Sequence, residues 1–115
     1  MLYNTNINLK EQRVMNKSRR LWLRKLIKEI NTVYDDDDLK GCIDTLENIL
    51  DDEQNYYDNI PENLQYSQCA ETSEEAINNI EEALECLNEA LNCDDKYEFM
   101  SCIREAVDYI DNATF

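Results

Sequence analysis

The stretch Ile77-Asn-Asn-Ile80-Glu-Glu-Ala-Leu84-Glu-Cys-Leu87-Asn-Glu-Ala-Leu91 decides the fold class. Its large apolar residues step by three, four, three and four, which is the seam period of packed helices. A strand reading fails, because alternation of period two would mix Asn and Glu among the aliphatics. The same rhythm recurs upstream at Leu39, Ile43, Leu46, Leu50, Tyr57 and Ile60, with Glu53 filling one stripe position. It recurs again at Leu23, Leu26/Ile27, Ile30 and Val33/Tyr34, and downstream at Tyr97, Met100, Ile103, Val107 and Ile110.

One Gly and one Pro among 115 residues leave little material for hairpins or sheet connections. The chain therefore reads as one all-α domain, an elongated antiparallel helical hairpin or bundle of three to four helices with coiled-coil-like packing. The expected parts are a lead-in at 1–8, a basic helix at 9–34, and acidic helices at 38–58, 67–92 and 95–112. Gly41 allows helices 1 and 2 to run on through a kink, or a turn at Asp35–Asp38 separates them. Pro61 ends helix 2, because the residue before proline resists helical backbone. Ser67 or Thr72 caps the next helix, the latter in a capping box with Glu75. Asp94 caps the last. Thin apolar stripes suggest that a second copy completes the burial, so we expect a homodimer. Met15 opens Met-Asn-Lys-Ser-Arg-Arg, which reads like a natural start and marks residues 1–14 as an upstream extension.

Charge is unevenly divided. Net charge is −15, from 26 acids and 11 bases. Residues 1–34 hold eight of the bases against Glu11 and Glu29, about +6, and residues 35–115 carry about −21. Such polarity points to electrostatic partners or to association of unlike halves. No apolar run approaches the roughly 20 residues of a membrane span. With no signal peptide and an odd set of cysteines (Cys42, Cys69, Cys86, Cys93, Cys102), the expectation is a cytoplasmic protein with reduced thiols that pack as small apolar groups. There is no His and no CxxC pair, so no zinc site is recognisable and no cofactor is expected.

Three constellations stand out. Asp36, Asp38, Asp44 and Glu47 occupy positions 1, 3, 9 and 12 of a twelve-residue calcium loop, with Gly41 at position 6. Lys40 at position 5 puts a cation where an oxygen ligand is wanted, so the pattern is weak beside an acid-rich helix end. Arg19, Arg20, Trp22, Arg24, Lys25 and Lys28 form a basic, aromatic-bearing helix face, suited to nucleic-acid phosphates or to an acidic protein face. Glu71, Glu75, Glu82, Glu85 and Glu89 follow three–four spacing away from the apolar stripe, with Asn78 in the gap. Rows of carboxylates on a rigid helix imitate DNA phosphates, although a solvated face has the same look. Acid–base catalysis at neutral pH has no His to use, and no phosphate loop or nucleophile elbow is present, so an enzyme is not expected.

The segment Asp51-Asp-Glu-Gln-Asn-Tyr-Tyr-Asp-Asn-Ile-Pro-Glu-Asn-Leu-Gln-Tyr-Ser67, with the Lys/Arg-rich turn Met15–Arg20 and the helix Glu75–Ala90, resembles small uncharacterised acidic helical-hairpin proteins of Gram-positive bacteria and their phages. The likeness covers about residues 15–92 and transfers no catalytic residue. It implies a hairpin turn fixed by Pro61, with Asn59 and Asn63 supplying turn hydrogen bonds and Tyr56, Tyr57, Ile60 and Leu64 packed at the tip. It also implies a mobile-element origin. The leading expectation is a phage- or mobile-element-encoded protein that inhibits a host protein, of the anti-CRISPR or anti-restriction type, with acidic helices occupying a nuclease's nucleic-acid groove. The alternatives are a nucleic-acid-binding accessory protein working through the basic helix, and a purely structural helical oligomer.

Overall fold

A computed structural model describes residues 17–33, 35–64 and 67–114. Four α-helices account for nearly all of them: α1 Lys17–Ile30, α2 Asp36–Asp58, α3 Gln68–Leu91 and α4 Lys96–Ala113. A single 3-10 turn, Glu62–Leu64, lies between α2 and α3. The expected beginning of helix 1 at 9–16, the lead-in at 1–8 and the Met15 start lie outside the described residues.

Short connections force antiparallel neighbours. α3 packs against α2 and α4, α1 packs against α2, and a lighter contact between α1 and α4 closes the ring. The result is an elongated all-α bundle, 55 × 21 × 18 Å.

Each boundary has a local cause. Asp35 caps α2, its carboxylate accepting the Asp38 N–H at 2.8 Å. Asp36, Asp37 and Asp38 then lie in the first turn, where negative charge meets the positive end of the helix dipole. Helices 1 and 2 are therefore separate, and Gly41 sits in ordinary helix rather than at a kink. At the far end Asn59 donates to the Asn55 carbonyl, and the Leu64 N–H closes onto the Pro61 carbonyl at 2.8 Å. Ile60, Cys69 and Ala70 form a small buried cluster there with Tyr56, Tyr57 and Leu64 packed on it, as the turn motif implied.

Several expectations are corrected. The twelve residues from Asp36 to Glu47 form the first turns of α2, so no calcium loop wraps there. Leu39, Cys42, Ile43 and Leu46 of that stretch are buried, which turns Asp44 and Glu47 outward to solvent. No group of three cysteine or acidic side chains is placed to hold a metal among the described residues. Thr72 is buried inside α3 and makes no capping box, while Ser67 stands at the N-cap with its hydroxyl donating back to the Leu64 carbonyl. Asp95, not Asp94, caps α4 by accepting from the Tyr97 N–H at 3.0 Å.

The core follows the predicted stripes with changes of membership. Leu23, Leu26, Ile30, Leu39, Leu46, Ile49, Ile80, Leu87 and Ile110 are fully buried within the single chain. Ile49 and Cys42 join α2's stripe, and Leu50 drops to its edge. On α3 the small residues Ala76, Ala83 and Ala90 are buried beside the large ones, which lets α2 and α4 approach closely. α4 turns Ala106, Ile110 and Ala113 inward. Tyr97 and Met100 were expected in its stripe, yet they are 83% and 48% exposed.

One buried polar cluster interrupts this core. Glu53 is 1% exposed and Arg19 is 7% exposed. Arg19 Nε donates to Glu53 Oε1 at 2.9 Å, and its Nη1 donates to Asp52 at 2.9 Å. Ser73 donates to Glu53 Oε2 at 2.5 Å, and the guanidinium lies 5.1 Å from the centre of the Tyr56 ring. The cluster thus links α1, α2 and α3.

Two stability measurements check this account. Arg19→Met should cost about 3–5 kcal/mol in urea unfolding, because it strands the buried Glu53 charge, and Glu53→Leu should cost less, because Arg19 keeps its ion pair with Asp52. The double variant should recover most of that loss, since an apolar pair of similar volume leaves no charge behind. Gly41→Ala should raise stability by about 0.5–1 kcal/mol, because Gly41 lies mid-helix and an added Cβ meets nothing within 4 Å.

Candidate functional site

Two surfaces carry the charge and apolar exposure that the core leaves over. The first is the outer flank of α3. That helix bears seven glutamates, at 71, 74, 75, 81, 82, 85 and 89, and no Lys or Arg. All seven are exposed. At about 100° per residue, Glu71, Glu75, Glu82, Glu85 and Glu89 fall within roughly 80° of one another, opposite the buried arc centred on Ile80. The five ridge residues expected from sequence are therefore brought together, and Glu74 and Glu81 broaden the ridge along one side.

α4 extends the negative surface. The Cys86 thiol donates to Glu105 at 3.8 Å, and the Cys102 thiol donates to Glu89 at 3.8 Å, so carboxylates line the seam between α3 and α4. Their field shows in the neighbouring acids. Burial, then Glu105 and Glu89, pushes the Cys86 thiol up to about 11. Burial and the adjacent Cys93, then Glu89, push Cys102 up to about 11. The Tyr109 phenol is raised chiefly by Glu82, with burial second. Cys42 is raised by burial, with Glu29 and Asp38 adding to it. Tyr56, buried beside Cys69 and Glu53, is raised to about 12, burial being the largest cause. Thiolate is the reactive form of cysteine, so these thiols are poor nucleophiles near neutral pH. All five cysteines are unbridged.

The second surface is α1 with the near side of α4. Of the basic face expected from sequence, Arg24, Lys25 and Lys28 are exposed, Trp22 is 39% exposed and Arg20 is half-buried. Arg19 is withdrawn from it into the ion pair with Glu53, which corrects its assignment as a partner-binding residue. Leu21, which sequence reasoning passed over, is 54% exposed amid the cations. A groove of about 560 Å³ opens where α1 and α4 meet, lined by Ile30, Asn31, Val33, Lys96, Phe99, Met100, Ile103, Arg104, Val107 and Asp108. Sequence reasoning placed Ile30, Val33, Met100, Ile103 and Val107 in apolar stripes and passed over Phe99; Ile30 is core, and Met100 is the exposed apolar residue of the lining.

Among the described residues, no helix is long and apolar enough to cross a membrane. The chain matches no protein-family model, no curated protein and no solved structure.

The raised thiols set an alkaline limit with a definite sign. Cys86 and Cys102 keep their protons to about pH 11 in the folded chain, but lose them near 9 once unfolded. Their contribution is fully present below about pH 9 and is lost as pH rises toward 11. Urea midpoints measured from pH 8 to 11 should fall across that window, and iodoacetamide at pH 8 should label native Cys86 far more slowly than unfolded Cys86. A flat midpoint across that window would remove the account of raised thiols.

Proposed function

We propose that the chain is a binding module, not an enzyme, and that α3's outer flank engages a basic, nucleic-acid-binding surface on a partner protein. One observation carries the reading: seven exposed glutamates and no cation on a single rigid helix. From residue 71 to 89 they span about 27 Å, an average step of about 4.5 Å of axis. One strand of duplex DNA presents a phosphate every 3.4 Å or so. The spacing supports a match to a groove evolved for a nucleic-acid backbone, and the fixed helix loses little entropy on docking. An inhibitor of a host defence nuclease, the expectation attached to the turn-motif resemblance, is the specific form that this reading takes.

Capture from a bacterial lysate on the immobilised chain, followed by salt elution, is the direct experiment. We expect retained proteins to be nucleic-acid-binding, to elute within a few hundred millimolar salt, and to lose their nucleic-acid binding when the chain is added. The quadruple variant Glu75→Gln, Glu82→Gln, Glu85→Gln, Glu89→Gln should retain its fold and lose the capture. Equal capture by that variant, or a partner whose binding ignores salt, would refute the assignment.

A further inference from the structure

The groove between α1 and α4 has a composition that the rest of the surface does not share. Its floor is aliphatic and aromatic, formed by Ile30, Val33, Phe99, Ile103 and Val107, with Met100 48% exposed at its lip. Residues 35–115 contain only three cations, Lys40, Lys96 and Arg104, and the last two line this groove. Opposite them stand Ile30, Asn31 and Val33 at the end of α1. Asp108, one turn beyond Arg104, is the single acid in the lining. In a chain of net charge −15, an apolar trough lined by two cations and one acid is a local reversal of sign.

We infer that this groove is a docking site for an acidic amphipathic helix of a partner protein. Helix-in-groove recognition needs a trough between two helices, apolar anchors at i, i+3, i+4 and i+7, and complementary charge beside them. The trough's volume of about 560 Å³ holds several aliphatic side chains. Lys96 and Arg104 on the α4 bank meet carboxylates flanking the anchors. The chain's overall negative charge works against an acidic ligand at low salt. At about 0.15 M salt, charges farther than about 8 Å are largely screened, and the rim decides. This site is independent of the acidic flank of α3, so the chain presents two surfaces of opposite sign.

The test uses the full chain at 0.15 M salt and two fluorescein-labelled synthetic helices, both with leucines at a, d and e positions. One carries glutamates at the remaining positions, the other lysines. Fluorescence anisotropy should show the leucine–glutamate helix bound at least tenfold more tightly than a Met100→Glu variant binds it. A Lys96→Glu/Arg104→Glu variant should lose about tenfold and shift its preference toward the lysine helix. All three positions are exposed, so helical circular dichroism and melting should be unchanged in the variants. The inference is overturned if the glutamate helix does not bind, if both helices bind alike, or if neither variant weakens binding. It is also overturned if light scattering shows the chain to be a dimer that Met100→Glu dissociates, since the groove then belongs to a second copy.

Discussion

Glu53 occupies a stripe position on α2 where every neighbouring stripe residue is apolar, and a bare carboxylate there would forfeit its hydration. Arg19 reaches it from α1 and Ser73 from α3, so each carboxylate oxygen has a buried donor. The arrangement fixes the relative height of three helices. Aliphatic seams tolerate a slide of one turn, since Leu and Ile positions recur every three or four residues. An ion pair does not, because any slide leaves a buried charge unmatched at a cost of several kcal/mol. Tyr56 closes the cluster from below, with its ring against the guanidinium.

Register set in this way has consequences at the opposite end of the bundle. With Arg19 anchored near the tip formed by Pro61 and Leu64, α1 ends at Ile30 beside the first turns of α4. α1 contributes only Leu23, Leu26 and Ile30 as fully buried large side chains. Its contact with α4 is lighter than those made along the α2–α3–α4 succession. The trough opens where α1 ends beside α4. Lys96 and Arg104 point along the same side of α4 as the floor residues Ile103 and Val107.

Opposite charges are kept apart by the same packing. α3 lies in the middle of the succession, flanked by α2 and α4, and turns its one free face outward with all seven glutamates. Mutual repulsion along that face is tolerated because water screens it. Burial first, and the nearby carboxylates after it, raise the Cys86 and Cys102 thiols, and Glu82 raises the Tyr109 phenol. The thiols at the α3–α4 seam therefore remain protonated donors to carboxylates, a role compatible with packing and unsuited to redox or nucleophilic chemistry.

Sequence by itself determined the helical class, the positions of α2, α3 and α4 to within two residues, the Pro61 turn and the acidic ridge. These are local properties: apolar period, capping chemistry, and charge spaced along one helix. It misassigned whatever depends on which helix lies next to which. Arg19 looked like one more cation of a basic face, and Glu53 like a flaw in a stripe. Only their meeting across 34 positions of sequence makes them a buried pair. Tyr97 and Met100 had the right period for a core, but α4 turns its alanines toward α3 and leaves those two outside, because small residues permit the closer approach. The calcium pattern matched on spacing alone and failed because Leu39, Cys42, Ile43 and Leu46 gain more from burial in a helix than the acids would from a loop. Tertiary packing alone decided that Lys96 and Arg104, two of the three cations beyond α1, share a groove with half-buried apolar side chains and the exposed Met100.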